Sequence, residues 1–102
     1  MMPEENEART VRQDMIALLQ TEACSLRDIS QALHISEKEA GDHLAHIRRS
    51  LSTTRQVLRI HPATCRACDF VFRERQRFSR PGRCPRCRAT RISLPRFFIR
   101  SG

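Results

Sequence analysis

Apolar residues recur with a helical period through the first half of this chain. Val11, Met15, Leu18 and Leu19 stand at i, i+4, i+7 and i+8, and Thr10 with Gln13 makes a capping-box sequence ahead of them, so a helix is predicted from Thr10. Residues 1–9 lack any such period and read as a flexible tail. Ser25 opens a second, shorter helix in which Leu26, Ile29 and Leu33 share a face, with Asp28 placed to reach back to the cap. Ser36 and Glu39 make another capping box, and Ala40, Leu44, Ile47 and Leu51 then repeat at helical spacing. Arg48 and Arg49 near the end of that helix suit the negative pole of its dipole.

Only Leu33, His34 and Ile35 lie between the second helix and the cap of the third. So short a connection between two helices predicts a helix-turn-helix domain over residues 10–60. His34 occupies the turn position that needs a left-handed backbone, which His adopts more readily than a β-branched residue. Backbone geometry therefore accounts for it without a ligand role.

The pattern changes after residue 60. Ahead of the closing Phe97-Phe98-Ile99 few large apolar residues remain, namely Phe70, Val71, Phe72, Phe78, Ile92 and Leu94, and four of the five cysteines fall within this stretch as Cys65-x2-Cys68-x15-Cys84-x2-Cys87. That spacing reads as a tetrahedral thiolate site, each pair closing a turn around one side of a metal. In a reducing compartment two disulfides are the weaker reading. Four thiolates suit zinc or a single rubredoxin-type iron, and spacing alone does not choose. Arg66, Arg86 and Arg88, within or beside the ligand turns, offset the formal −2 of a zinc tetrathiolate and favour zinc. All four ligands come from protein, so the ion is structural. Its binding supplies on the order of 10–16 kcal/mol toward folding, which a unit of roughly 40 residues needs.

Charge divides the chain in the same place. Residues 1–50 carry a net −3, whereas residues 51–102 hold thirteen arginines against two acids, a net +11. An arginine-rich half favours a polyanion, most often nucleic acid. Arg73, Arg75 and Arg77 alternate with Glu74 and Gln76, so an extended backbone would set three guanidinium groups on one face; Arg80, Arg83 and Arg86 add to them. The third helix contributes Lys38, His43, His46, Arg48 and Arg49 toward a groove. Its first turns also carry Glu37, Glu39 and Asp42, which repel phosphates but can accept from cytosine. His43 and His46, at i and i+3, have partly exposed helix positions as the plainer explanation than bases or a second metal.

No apolar run reaches the roughly eighteen residues of a membrane span, and the acidic opening MMPEENEAR lacks the basic character of a targeting peptide, which places the protein in the cytoplasm. Nothing points to an enzyme: there is no phosphate-cradling glycine loop and no open metal position. Cys24, at the corner between the first two helices, reads as a small buried hydrophobe.

The combination of LRDISQALHISEKEAGDHLAHIRRSL, HPATCRACDFVF, PGRCPRC and ISLPRFFI resembles a small prokaryotic group of predicted transcriptional regulators. The resemblance spans roughly Thr10 to Ile99. It implies an α+β fold, a three-helix winged helix-turn-helix variant with a rubredoxin-like zinc ribbon inserted in place of the wing, and DNA binding. On that topology Val57-Leu58-Arg59-Ile60 is a strand and Arg96-Phe97-Phe98-Ile99 its returning partner, with Pro62 and Pro95 at the margins and residues 61–102 forming the ribbon with its return strand. One departure concerns the metal knuckles, where Asp69 and Arg88 stand in place of the usual Gly; the left-handed backbone needed there suits Asp better than Arg.

The expected function is thus a DNA-binding transcriptional regulator with one structural Zn²⁺, its partner double-stranded DNA, with a homodimer or a transcription-machinery protein as further partners. The alternative is an RNA-binding or protein-adaptor zinc ribbon of the transcription or translation machinery, for which Phe72, Phe78, Phe97 and Phe98 could supply stacking, although burial in so small a core is their plainer explanation.

Overall fold

The first helix begins well before Thr10. The computed structural model describes residues 3–73 and 77–101, residues 3–9 through their backbone alone, and α1 runs Pro3–Thr21. The segment read as a tail is therefore helical from Pro3, and the Thr10–Gln13 pair lies inside the helix rather than at its start. Proline is well suited to a first helical position, where its missing N–H would have had no intrahelical partner.

Among the described residues two further helices and two strands complete the set: α2 (Leu26–Leu33), α3 (Glu37–Leu51), β1 (Gln56–His61) and β2 (Arg96–Ser101). The fold is α+β, three helices with a small antiparallel sheet. The α2 start follows the sequence closely. Ser25 Oγ accepts from the Asp28 N–H at 3.1 Å while Asp28 Oδ2 accepts from the Ser25 N–H at 3.0 Å. At α3 the box is half formed: Ser36 Oγ accepts from the Glu39 N–H at 3.0 Å, but the Glu39 carboxylate meets the Ser36 hydroxyl instead of its backbone. His34 does take the left-handed conformation, φ 57° and ψ 44°, and its N–H returns to the Ser30 carbonyl. The Ser30 hydroxyl donates to the Ile35 carbonyl, so the turn between α2 and α3 is tied across itself.

The strands pair antiparallel, Leu58 opposite Ile99 and Ile60 opposite Phe97, each two residues longer than expected. The other edge of β2 is bridged by the α1–α2 corner, where Cys24 and Phe97 exchange both backbone hydrogen bonds at 2.9 and 2.8 Å. One core results, built on Met15, Leu19, Ile29, Ala40, Leu44 and Ile47 of the helices and Phe97 and Ile99 of β2. Cys24 belongs to it, as expected of a small hydrophobe: it is buried, and burial first, with Glu22 and Asp28 nearby, pushes its thiol up to about 11 against the opposing Arg96.

Residues 62–95 leave the sheet between β1 and β2 and return to it. Within this excursion the 63–66 segment is central: Thr64 bridges Val71 on one side, and Cys65 bridges Ile92 on the other. Of the six apolar residues expected to form its core, only Ile92 is fully buried; Phe70, Val71, Phe72 and Leu94 are half-buried. Phe78 packs elsewhere, edge-on against Phe97 with ring centroids 5.3 Å apart, and so joins the helical core.

Candidate metal centre and basic surface

Four sulfurs meet at the end of the excursion. The Sγ atoms of Cys65, Cys68, Cys84 and Cys87 lie within 4.8 Å of one another. The close pairs cross between the two knuckles, Cys65 to Cys87 at 3.5 Å and Cys68 to Cys84 at 3.6 Å. A disulfide needs about 2.05 Å. A tetrahedron with metal–sulfur bonds of about 2.3 Å has edges of roughly 3.8 Å, close to these separations.

The two knuckles repeat one another. Cys65 N–H donates to the Phe70 carbonyl at 2.8 Å and Cys84 N–H to the Ala89 carbonyl at 2.9 Å, while Asp69 N–H and Arg88 N–H return to the carbonyls of Cys65 and Cys84, both at 2.8 Å. Asp69 and Arg88 each have φ 64°, so Arg88 adopts the same left-handed turn as Asp69 despite its Cβ. This turn aims backbone amides at sulfur, as in the 3.4 Å contact from the Arg86 N–H to Cys84 Sγ. Against burial, which raises it, the N–H groups of Cys87 and Arg86 and the neighbouring thiols bring the Cys84 thiol down to about 7. Cys68 moves the other way: against the Phe70 backbone hydrogen bond, which lowers it, burial and the neighbouring thiols push it up to about 12, so the four sulfurs hold protons as one set. Cys65 and Cys84 are fully buried and Cys87 is exposed.

The residues proposed for nucleic acid separate into groups. Lys38 and Arg49 are exposed on α3. His43 and His46 instead turn toward α1: Arg12 Nε donates to His43 Nδ1 at 3.2 Å, and Arg12 Nη1 lies 3.3 Å from His46 Nε2. Burial, then the Arg12 charge, push the His43 pKa below its ordinary value of 6.5, with Glu39 and Asp42 opposing. Arg48 is also engaged, its guanidinium 4.3 Å above the Phe78 ring. Arg73, Arg77, Arg80, Arg83 and Arg86 are exposed on the excursion. Glu74, Arg75 and Gln76 lie outside the described residues, so the alternating face expected of Arg73, Arg75 and Arg77 falls partly outside them too. Arg12 was not foreseen as a functional or organising residue. Its one sequence signal is a charge on the buried stripe of α1, three residues before Met15 and seven before Leu19.

Clefts join the two halves of this surface. Lys38 and Arg27 share one with Arg80, and Arg48 and Arg59 share another with Arg73.

A helical domain carrying a four-cysteine ribbon between its strands is a zinc-ribbon protein, and the four cysteines hold one structural zinc ion. Residues 10–59 match the PF0610-like N-terminal domain and residues 62–102 the PF0610 rubredoxin-like zinc beta-ribbon domain. The solution NMR structure of protein PF0610 from Pyrococcus furiosus is similar throughout, with 32% identity and a TM-score of 0.77 over 92% of this chain and 91% of that one. The chain belongs to the PF0610-like family. Comparison with curated proteins finds no match. No helix among the described residues is long and apolar enough to cross a membrane.

Proposed function

We propose that this protein is a non-enzymatic transcriptional regulator that binds double-stranded DNA as a winged helix-turn-helix variant, the zinc ribbon taking the place of the wing. The observation that carries this reading is the placement of ribbon arginines beside α3. Arg80 shares a cleft with Lys38, and Arg73 shares one with Arg48 and Arg59, so the basic ribbon flanks the helix that follows the tight turn. In a helix-turn-helix that second helix enters the major groove. The ribbon arginines then hold phosphates, Lys38 and Arg49 lie toward the groove, and Asp42 is available to accept from a cytosine amine. His43, His46 and Arg48 keep the helix in place through Arg12 and Phe78 rather than touching bases.

Anisotropy titrations of the zinc-loaded protein on a labelled duplex, repeated across salt concentrations, test this. Four to six arginine–phosphate contacts predict that log K falls against log salt with a slope of roughly −4 to −5. A flat response, or tighter binding to single-stranded RNA than to duplex, contradicts it. The exposed acids Glu37, Glu39 and Asp42 favour one second reading, an adaptor whose α3 docks on a basic protein surface. Such an adaptor would leave the duplex unbound even at low salt.

A further inference from the structure

The cleft between the helices and the ribbon has a chemical character of its own. Its volume is about 470 Å³, within the size range of small-molecule sites. The starts of α2 and α3 form one wall, and the ribbon segment from Phe78 to Arg80, with Leu94 and Pro95, forms the other. Arg27, Lys38 and Arg80 all line it, against one carboxylate, Glu37. None of these four side chains has a hydrogen-bond or ion-pair partner among the described residues. Three cations therefore line a space where no described residue supplies a counter-charge in contact with them. The rest of the lining is largely apolar, with Leu26, Phe78 and Leu94 as its larger members.

We infer that this cleft binds a small amphiphilic anion: a compact apolar body carrying a doubly charged head group, such as a phosphate monoester. Two features set that chemistry. A head group of charge −2 would meet the excess of two positive charges in the lining through charge-assisted hydrogen bonds, and Arg27 and Arg80 offer planar forks that suit phosphate oxygens. The apolar body would cover Leu26, Phe78 and Leu94, which a bare inorganic ion would leave wet. Head group and body together explain the lining; neither does so alone. The cleft is the one that sets Arg80 beside Lys38 in the DNA-binding reading, so a nucleic-acid phosphate is the rival occupant that the test must separate.

Amide NMR of the zinc-loaded full chain tests it with three probes: benzyl phosphate, inorganic phosphate and benzyl alcohol. Benzyl phosphate is expected to shift the amides around Leu26–Arg27, Glu37–Lys38, Phe78–Arg80 and Leu94 in a saturable way, with inorganic phosphate weaker and benzyl alcohol weaker still. Arg27→Gln and Arg80→Gln should each weaken benzyl phosphate about tenfold, as expected for one lost charge-assisted contact, while Arg55→Gln on the far loop leaves it unchanged. Spectra of both variants confirm that they stay folded. The inference is overturned if inorganic phosphate binds as tightly as benzyl phosphate, if shifts scatter over all exposed arginines, or if Arg55→Gln weakens binding equally. It is also overturned if a duplex oligonucleotide shifts the cleft amides while benzyl phosphate does not, since backbone phosphate would then be the occupant.

Discussion

The guanidinium of Arg48 lies over the ring of Phe78, 4.3 Å from its centroid, and joins the last turn of α3 to the zinc ribbon. Phe78 in turn meets Phe97, a fully buried residue of β2, with the two rings 88° apart. The ribbon thus sends one aromatic residue into the helical core, and an arginine once expected to contact DNA covers it. This contact fixes the ribbon's orientation relative to α3, on which any shared basic surface depends.

Phe78→Ala should lower stability by about 2 kcal/mol, less than for a fully buried ring, and Arg48→Ala by about 0.5–1 kcal/mol. Urea unfolding of the single and double variants measures both, and the double-variant cycle reads their coupling. Unchanged stability in Phe78→Ala would show that the ribbon is held by other means.

Chelation of zinc, or Cys68→Ser, is expected to unfold residues 63–94 while the helices persist. The ribbon has little else to hold it, since Ala63, Cys65, Cys84 and Ile92 are its buried hydrophobic residues, whereas the helical core draws on β2 from outside the metal site. Amide spectra should show loss of dispersion confined to the ribbon. Full dispersion in metal-free protein would contradict this.

The second knuckle holds a residue in a conformation it does not favour. A left-handed backbone costs a side-chain-bearing residue roughly 1–2 kcal/mol, and Arg88 has φ 64°. Arg88→Gly should therefore tighten zinc binding by about 1 kcal/mol in competition with a chelator, and Asp69→Gly by less, because Asp enters this region more readily. Weaker zinc binding in Arg88→Gly would mean that its charge matters more than its backbone.

Acid should loosen the α1–α3 contact. His43 has a pKa lowered in the folded state by burial and by Arg12, so it accepts a proton more readily when unfolded. Its contribution is present above the ordinary value of 6.5 and is lost as pH falls through the lower folded value. Stability measured by urea midpoint should fall over that window, and Arg12→Met should bring the His43 titration, followed by NMR, back toward 6.5. A His43 titration unaffected by Arg12→Met would remove Arg12 as a cause.

What could be read in advance was local. The Ser25–Asp28 box, the left-handed His34 and the four cysteines each depend on residue type at fixed short spacing, whereas the return of Arg96–Ile99 to β1 follows only from the family resemblance. The start of α1 was misplaced because Thr10 and Gln13 imitate a cap inside a helix. Contacts across long separations left little trace: Arg12 and His43 are 31 residues apart. Phe78 looked like ribbon core because it lies between the cysteine pairs, and only the folded chain brings it to Phe97. Ranking arginines by charge alone likewise could not separate the exposed Arg49 from Arg48 beside it.

DNA recognition is most directly tested by selecting bound sequences from a random duplex library with zinc-loaded protein at about 150 mM salt, where non-specific phosphate attraction is damped. A sequence-specific regulator predicts an enriched motif, lost or relaxed when Lys38 and Arg49 are replaced by Ala. A pool that stays random after selection by folded, zinc-loaded protein would contradict it.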